Sequence, residues 1–100
     1  MPPKLTWQAK RDIHAARRRR QTAATRARLN EELRACFLLI QKRPTSFPRH
    51  PDAEDQHTRV AQLATLPLLV IFHTGAEEVR VLGVIHARSG PDTLAGVFAR

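Results

Sequence analysis

The sequence predicts an α+β domain, in which an N-terminal helical hairpin packs on one face of a small, mainly antiparallel sheet, in the order β-α-α-β-β-β. Two stretches with helical spacing of apolar residues come first, and two strongly apolar stretches joined by a short turn come near the end. Helices followed by strands, rather than alternating with them, are typical of α+β domains. A chain of 100 residues supports one modest core, so we expect a single domain over residues 1–100.

The two apolar stretches predict adjacent antiparallel strands at residues 66–72 and 79–86. Pro67 suits the first position of a strand, and Gly75 lies among polar residues typical of a turn. In the second strand, apolar side chains occupy both alternating sets, so we expect this strand to lie centrally with part of its second face covered. The two sets are Val79, Val81, Gly83 and Ile85, and Arg80, Leu82, Val84 and His86.

Two helices are predicted from apolar residues at helical spacing. The first runs from Gln8 to about Arg20. The second follows Thr22, whose side chain can cap it, and ends near Lys42 because Pro44 cannot continue a helix. The apolar stripes of the two helices are Ala9, Ile13 and Ala16, and Leu29, Leu33, Cys36, Phe37 and Ile40.

The remaining segments carry weaker patterns. Residues 4–7 predict a short first strand, and Trp7 is expected to fill the core between sheet and hairpin, the alternative being a platform on which a base stacks. Residues 57–64 predict a strand that pairs with the one beginning at Leu68. Residues 93–100 form a weakly apolar tail, and the sequence leaves open whether this tail is ordered alone or only against a partner.

The positive charge of the chain is concentrated in its first third. Residues 1–30 hold nine Lys or Arg against one acidic residue, whereas residues 31–100 hold eight of each kind. This imbalance predicts contact with a nucleic acid or an acidic protein partner, the alternative being a solvated basic helix. The residues expected to make that contact are Lys10, Arg11, Arg17, Arg18 and Arg20.

The sequence indicates neither a cofactor nor a metal. The single cysteine, Cys36, allows no internal disulfide, so a reducing compartment is the simpler expectation. We find no run of about 20 apolar residues for a membrane helix, no glycine-rich phosphate loop and no Cys or His spacing for zinc. We therefore expect a cytoplasmic protein with no cofactor and no membrane partner.

The element order and several motifs resemble the RelE/ParE superfamily of toxins from bacterial type II toxin–antitoxin systems. The resemblance covers nearly the whole chain, and its best local match is the apolar strand pair whose second strand ends in His86-Ala87-Arg88. Residues 9–13 at the start of the hairpin, Phe47-Pro48 after the second helix and Arg59 at the start of the sheet segment also match.

The resemblance implies one of two activities. ParE-like members bind DNA gyrase and trap it on DNA, with no chemistry of their own established, whereas RelE-like members enter the ribosome and cut messenger RNA. Both kinds are neutralised by a cognate antitoxin that wraps the toxin, which implies a toxin–antitoxin hetero-oligomer. The residues expected to contact the antitoxin are Leu82, Val84, Val97 and Phe98.

A RelE-like ribonuclease needs a base, an acid and cations around the scissile phosphate. His86 could act as base or acid, and Arg59, Arg80 and Arg88 could hold the phosphate. This role requires all four side chains to converge on the open sheet face. The alternative is a His86 bonded to backbone and arginines that are solvated or paired with acids.

Two departures from the RelE-like pattern favour the ParE-like branch, for which no catalysis is expected, or a toxin with weakened activity. The chain has no tyrosine, whereas RelE-like members frequently have a catalytic tyrosine near the C-terminus. The sequence after Arg88 also lacks the usual basic-acidic continuation. A third interpretation, from a different class, is a basic protein that binds nucleic acid without catalysis.

Overall fold

A computed structural model describes residues 2–100 and confirms the α+β class and the predicted order of helices and strands. The hairpin packs on one face of a four-stranded sheet, and a third helix covers part of the other face. The elements are β1 (Lys4–Leu5), α1 (Trp7–Arg18), α2 (Ala23–Lys42), a short 3-10 helix (Pro44–Ser46), β2 (Thr58–Gln62), β3 (Leu68–Thr74), β4 (Val79–His86) and α3 (Pro91–Phe98).

The sheet has the strand order β1-β4-β3-β2, so β4 lies inside it as predicted. β2, β3 and β4 pair antiparallel. β1 runs parallel to β4 and pairs only with Arg80 and Val81. The outer edge of β4 beyond Val81 therefore has no strand beside it within residues 2–100.

Both helices of the hairpin begin at a threonine cap. The Thr6 hydroxyl accepts from the backbone N–H of Ala9 at 3.1 Å, and the Thr22 hydroxyl accepts from that of Thr25 at 3.1 Å. Such caps satisfy amide groups that have no partner inside the helix. α2 ends at Lys42 as predicted, whereas α1 ends two residues earlier than expected.

A β-bulge in β4 decides which of its side chains face each helix layer. Gly83 lies opposite Ile71 and Val81 lies opposite Phe72, so Leu82 is an extra residue in the ladder. As a result Val81 and Val84 both pack against the hairpin, while Leu82 packs under α3. The simple alternation expected from the sequence, with Leu82 and Val84 on one face, is wrong because the bulge shifts it.

Two side chains meet the backbone of β4 at this bulge. The Asp12 carboxylate accepts from the N–H of Val84 at 3.1 Å and from the Arg100 guanidinium at 2.7 Å. The same guanidinium nitrogen donates to the carbonyl of Leu82 at 3.0 Å. Asp12 belongs to α1 and Arg100 follows α3, so these bonds, which we call the β4 clamp, tie both helix layers to one strand.

Gly83 is the residue that leaves room for the β4 clamp. A Cβ atom at this position would lie 2.8 Å from the Arg100 guanidinium and 2.9 Å from the Asp12 carboxylate. Both distances are too short for carbon against nitrogen or oxygen. Any side chain larger than hydrogen would therefore displace Arg100, Asp12 or both.

Trp7 does not fill the core, so the expectation from the sequence is wrong. β1 has only two residues, and Trp7 is already the first residue of α1. The buried positions of α1 are Ala9, Ile13 and Ala16, which lie on the opposite side of the helix. The indole is consequently 66% exposed.

Glu32 joins α2 to the turn between β2 and β3. Its carboxylate accepts from the backbone N–H groups of Thr65 at 2.9 Å and Leu66 at 3.1 Å, and from the Thr65 hydroxyl. Burial tends to raise the pKa of Glu32, but these hydrogen bonds and the charge of Arg28 together outweigh it and hold the pKa below its ordinary value.

Glu32→Gln is expected to lower the free energy of unfolding at neutral pH by no more than about 1 kcal/mol, because the site is partly solvated. The folded pKa lies below the unfolded one, so the stabilisation is present above the unfolded pKa of about 4.3 and is lost as pH falls through the folded pKa. Urea unfolding at neutral and acidic pH measures the difference between wild type and variant.

That difference should shrink as the pH is lowered, whereas the exposed Glu31→Gln control should show almost none at any pH. Asp55 titrates in the same acidic range, because the backbone hydrogen bond from His57 lowers its pKa. Only the difference between variants therefore isolates Glu32. A wild-type advantage that stays constant down to acidic pH would contradict the role given to its carboxylate.

Candidate functional site

The structure does not bring the four candidate ribonuclease residues together. Arg59 shares a face with Ala61, which belongs to the core under the hairpin. Arg80 lies between Val79 and Val81, which pack toward the hairpin, so its exposed side chain points to the other face. His86 is six residues further along β4, on the order of 20 Å away.

Arg59 and His86 also have local partners that explain their positions. The Arg59 guanidinium donates to the Phe47 carbonyl at 2.6 Å, and its buried Nε has no partner within residues 2–100. His86 accepts at Nδ1 from the backbone N–H of Arg88 at 3.0 Å, in the turn that follows β4. Four side chains placed on two faces and at two ends of the sheet cannot surround one phosphate.

Of the five basic residues predicted to contact a partner, three line one cleft and two lie elsewhere. Lys10, Arg11 and Arg18 line an open cleft of about 450 Å³ between α1 and the end of the chain. Arg17 instead faces α2, where its Nε donates to the Asn30 side chain at 2.8 Å. Arg20 lies in the turn between the helices, with a buried Nε.

Trp7 and His14 line the same cleft. His14 was not among the residues predicted from the sequence, and Trp7 was considered for base stacking only as the alternative to a place in the core. The Arg11 guanidinium lies 4.8 Å from the centre of the indole ring, within range of a cation–π contact. Trp7, Arg11, His14 and Arg18 are spaced by four, three and four residues, which places them in one line along a helix. That spacing is visible in the sequence once Trp7 is assigned to the helix.

The residues expected to contact an antitoxin lie mostly inside the protein. Leu82 and Val97 are buried between the sheet and α3, and Val84 is buried under the hairpin. Phe98 is partly exposed, with its ring centre 5.0 Å from that of His50. Contact of these residues with an antitoxin remains a prediction, and for Leu82 and Val97 it requires α3 to leave the sheet.

Exposed apolar side chains lie instead on α2, at Leu38 (48% exposed) and Leu39 (54% exposed). Leu39 borders a mainly apolar groove of about 450 Å³, together with Cys36, Phe47 and Leu63. Leu38 borders a second groove, of about 630 Å³, between α2 and the N-terminal segment. Burial raises the pKa of the Cys36 thiol to about 11, so this cysteine is a packing residue rather than a nucleophile.

Within residues 2–100 no group of three His, Cys, Asp or Glu side chains is placed to hold a metal ion. No helix in this range is long and apolar enough to cross a bilayer.

Comparison with known proteins identifies the fold. No protein-family model matches the sequence, and no curated protein matches it at a significant level. The chain is similar to a solved structure described as a chromosomal ParDE TA system from P. aeruginosa, with a TM-score of 0.71 and 17% sequence identity. The match covers 86% of this chain and 95% of that one. The α+β fold expected from the sequence is therefore confirmed, and it is shared with a chain of that ParDE TA system.

Proposed function

We propose that this protein is a ParE-like toxin of a bacterial type II toxin–antitoxin system, which inhibits DNA gyrase and is neutralised by a cognate antitoxin. The observation that carries the proposal is the fold match over most of both chains to a protein from a ParDE TA system. The sequence motif that ends in His86-Ala87-Arg88 supports the same superfamily independently of the coordinates.

The placement of the candidate catalytic residues favours an inhibitor over a RelE-like ribonuclease. General acid–base catalysis requires the base to be within hydrogen-bond reach of the proton it removes, and electrostatic stabilisation requires donors around the same phosphate. Arg59 and Arg80 point to opposite faces, and His86 lies at the far end of β4. The absence of tyrosine from the sequence points the same way.

The antitoxin is expected to cover the apolar surface of α2. Leu38 and Leu39 are, with Trp7, the large apolar side chains most exposed within residues 2–100. Grooves lie on both sides of them, and an apolar groove beside a helix suits an amphipathic helix or an extended segment of a partner. The antitoxin contacts predicted at Leu82 and Val97 would form only in a complex that moves α3.

Induction of the protein in a bacterial host without a partner is expected to arrest growth, accumulate gyrase-linked DNA breaks and leave messenger RNA intact. Colony counts, plasmid topology and transcript integrity from one culture measure these outcomes together. His86→Ala should arrest growth as the wild type does, because the imidazole only accepts a backbone hydrogen bond in a turn.

Three results would decide against the proposal. Fragmented messenger that His86→Ala or Arg88→Ala abolishes would assign the protein to the ribonucleases. Unchanged supercoiling by purified gyrase with excess folded protein would remove gyrase as the target. Normal growth of a host that accumulates folded protein would contradict a toxin of either kind.

A further inference from the structure

We propose that the outward face of α1 binds a single strand of nucleic acid, with phosphates along the helix and one base stacked on Trp7. This face, which we call the α1 ridge, consists of Trp7, Arg11, His14 and Arg18. All four side chains are exposed. They lie opposite the buried face of α1, so the ridge is fully accessible from solvent.

The charge of the ridge is not compensated within the protein. Among residues 2–100, Lys10, Arg11 and Arg18 have no acidic side chain within 4 Å. The one acidic residue of α1, Asp12, is already paired with Arg100 in the β4 clamp. Lys10, Arg11 and Arg18 are therefore cations without a paired acidic side chain within residues 2–100, as in surfaces that bind phosphates.

Trp7 gives this cationic surface a stacking platform. Its indole is two-thirds exposed, and the Arg11 guanidinium beside the ring places a cation next to the stacking surface. Surfaces that bind single strands combine a positively charged groove for the backbone with aromatic rings on which the bases stack. Each stacked base contributes about 1–3 kcal/mol to binding. The ridge combines both features on one helix.

The same observations favour an unpaired strand over an acidic protein or a DNA duplex. Apart from Trp7 the cleft is lined mainly by polar and charged side chains, whereas a stable protein interface has an apolar centre. In a duplex the bases are already stacked on each other, so the indole would have no base to stack with. From Trp7 to Arg18 the helix rises about 16 Å, which allows several consecutive phosphates to be contacted.

The composition of the chain provides a direct test. Trp7 is the only tryptophan and there is no tyrosine, so intrinsic fluorescence reports on the ridge alone. Titration with a short oligothymidylate is expected to quench this fluorescence, with affinity that falls as salt is added. If Arg11 and Arg18 of the ridge and the neighbouring Lys10 each neutralise one phosphate of a single strand, the slope of log affinity against log salt is about −2.

Variants test which residues are responsible. Arg11→Gln/Arg18→Gln should reduce the slope to about −0.7, because Lys10 is then the one contacting cation that remains. Arg43→Gln/Arg49→Gln removes the same charge from exposed positions outside the ridge and should leave the slope near −2. Trp7→Ala, followed by the anisotropy of a labelled oligonucleotide, should weaken binding about tenfold while leaving the slope nearly unchanged.

Several results would overturn the proposal. The first is an equal loss of affinity and salt slope in the ridge and control variants. The second is tighter binding of a duplex than of a single strand. The third is quenching of Trp7 by polyglutamate as strong as by oligothymidylate. The measurement contains no gyrase, ribosome or antitoxin. Its failure would therefore leave the proposed toxin function untouched, and the reverse also holds.

Discussion

Gly83→Ala is expected to lower the free energy of unfolding by about 2 kcal/mol. The new Cβ would lie within 3 Å of the Arg100 guanidinium and the Asp12 carboxylate, so the β4 clamp has to open. Losing hydrogen bonds between charged groups and leaving buried backbone groups unpaired costs about 1–3 kcal/mol. Crowding against Val97, whose side chain would lie 3.1 Å from the new atom, adds to this cost.

Urea unfolding of two matched variants tests this expectation. At Gly96, within α3, a Cβ would meet nothing within 4 Å, so Gly96→Ala should be neutral or stabilise the protein by up to about 1 kcal/mol. In an Arg100→Ala background, Gly83→Ala should cost clearly less, because part of the clamp is already absent. Equal costs in both backgrounds would show that the clamp is not the cause.

Phe72→Ala is expected to lower the free energy of unfolding by about 3–5 kcal/mol, the largest effect of any substitution considered. Phe72 is fully buried in the core under the hairpin. Its ring meets that of Phe47 edge to face, with 5.6 Å between the ring centres. Since domains of this size are stable by only about 5–15 kcal/mol, such a loss brings the variant close to unfolding.

Thermal unfolding followed by circular dichroism measures the effect of Phe72→Ala. The midpoint should fall by at least about 12 °C, given about 4 °C or more for each kcal/mol in a domain of this length. Leu39→Ala removes an exposed apolar side chain from α2 and should change stability by no more than about 0.5 kcal/mol. A similar fall in both variants would contradict the assignment of the core.

The elements that the sequence predicted well are those with local signals. Thr22 and Pro44 delimit α2, and the apolar stretches around Gly75 delimit β3 and β4. The helix α3 was missed because it has only eight residues and Gly96 lies within it, which weakens the helical pattern. The bulge at Leu82 depends on contacts with Asp12 and Arg100, which are distant in sequence, so no local pattern reveals it.

The candidate sites show the same division between local and distant information. The concentration of basic residues on α1 was evident from composition. Which of them face solvent at the cleft and which, like Arg17, contact α2 depends on how the helix packs. Arg59 and His86 looked compatible as partners because sequence shows neither strand order nor register. In the sheet they lie toward opposite ends, at positions paired with Phe72 and Leu68.

The β4 clamp also occupies part of the sheet edge at which a strand from another copy could pair. β3 and β4 are rich in Val, Ile and Leu, a composition that promotes pairing between copies when a strand edge is open. At the outer edge of β4, Asp12 and Arg100 already occupy the N–H of Val84 and the carbonyl of Leu82.

The other edge of the sheet is protected by the chain itself. On β2 the N–H of Val60 donates to the carbonyl of Pro48. The backbones of Arg49 and Arg59 also form an isolated antiparallel β-bridge. Some of the backbone groups that could pair with a strand from another copy are thus occupied, on β2 and on the part of β4 beyond β1. Asp12 and Arg100, which hold the three layers together, therefore also leave fewer free backbone groups on β4 for a strand from another copy.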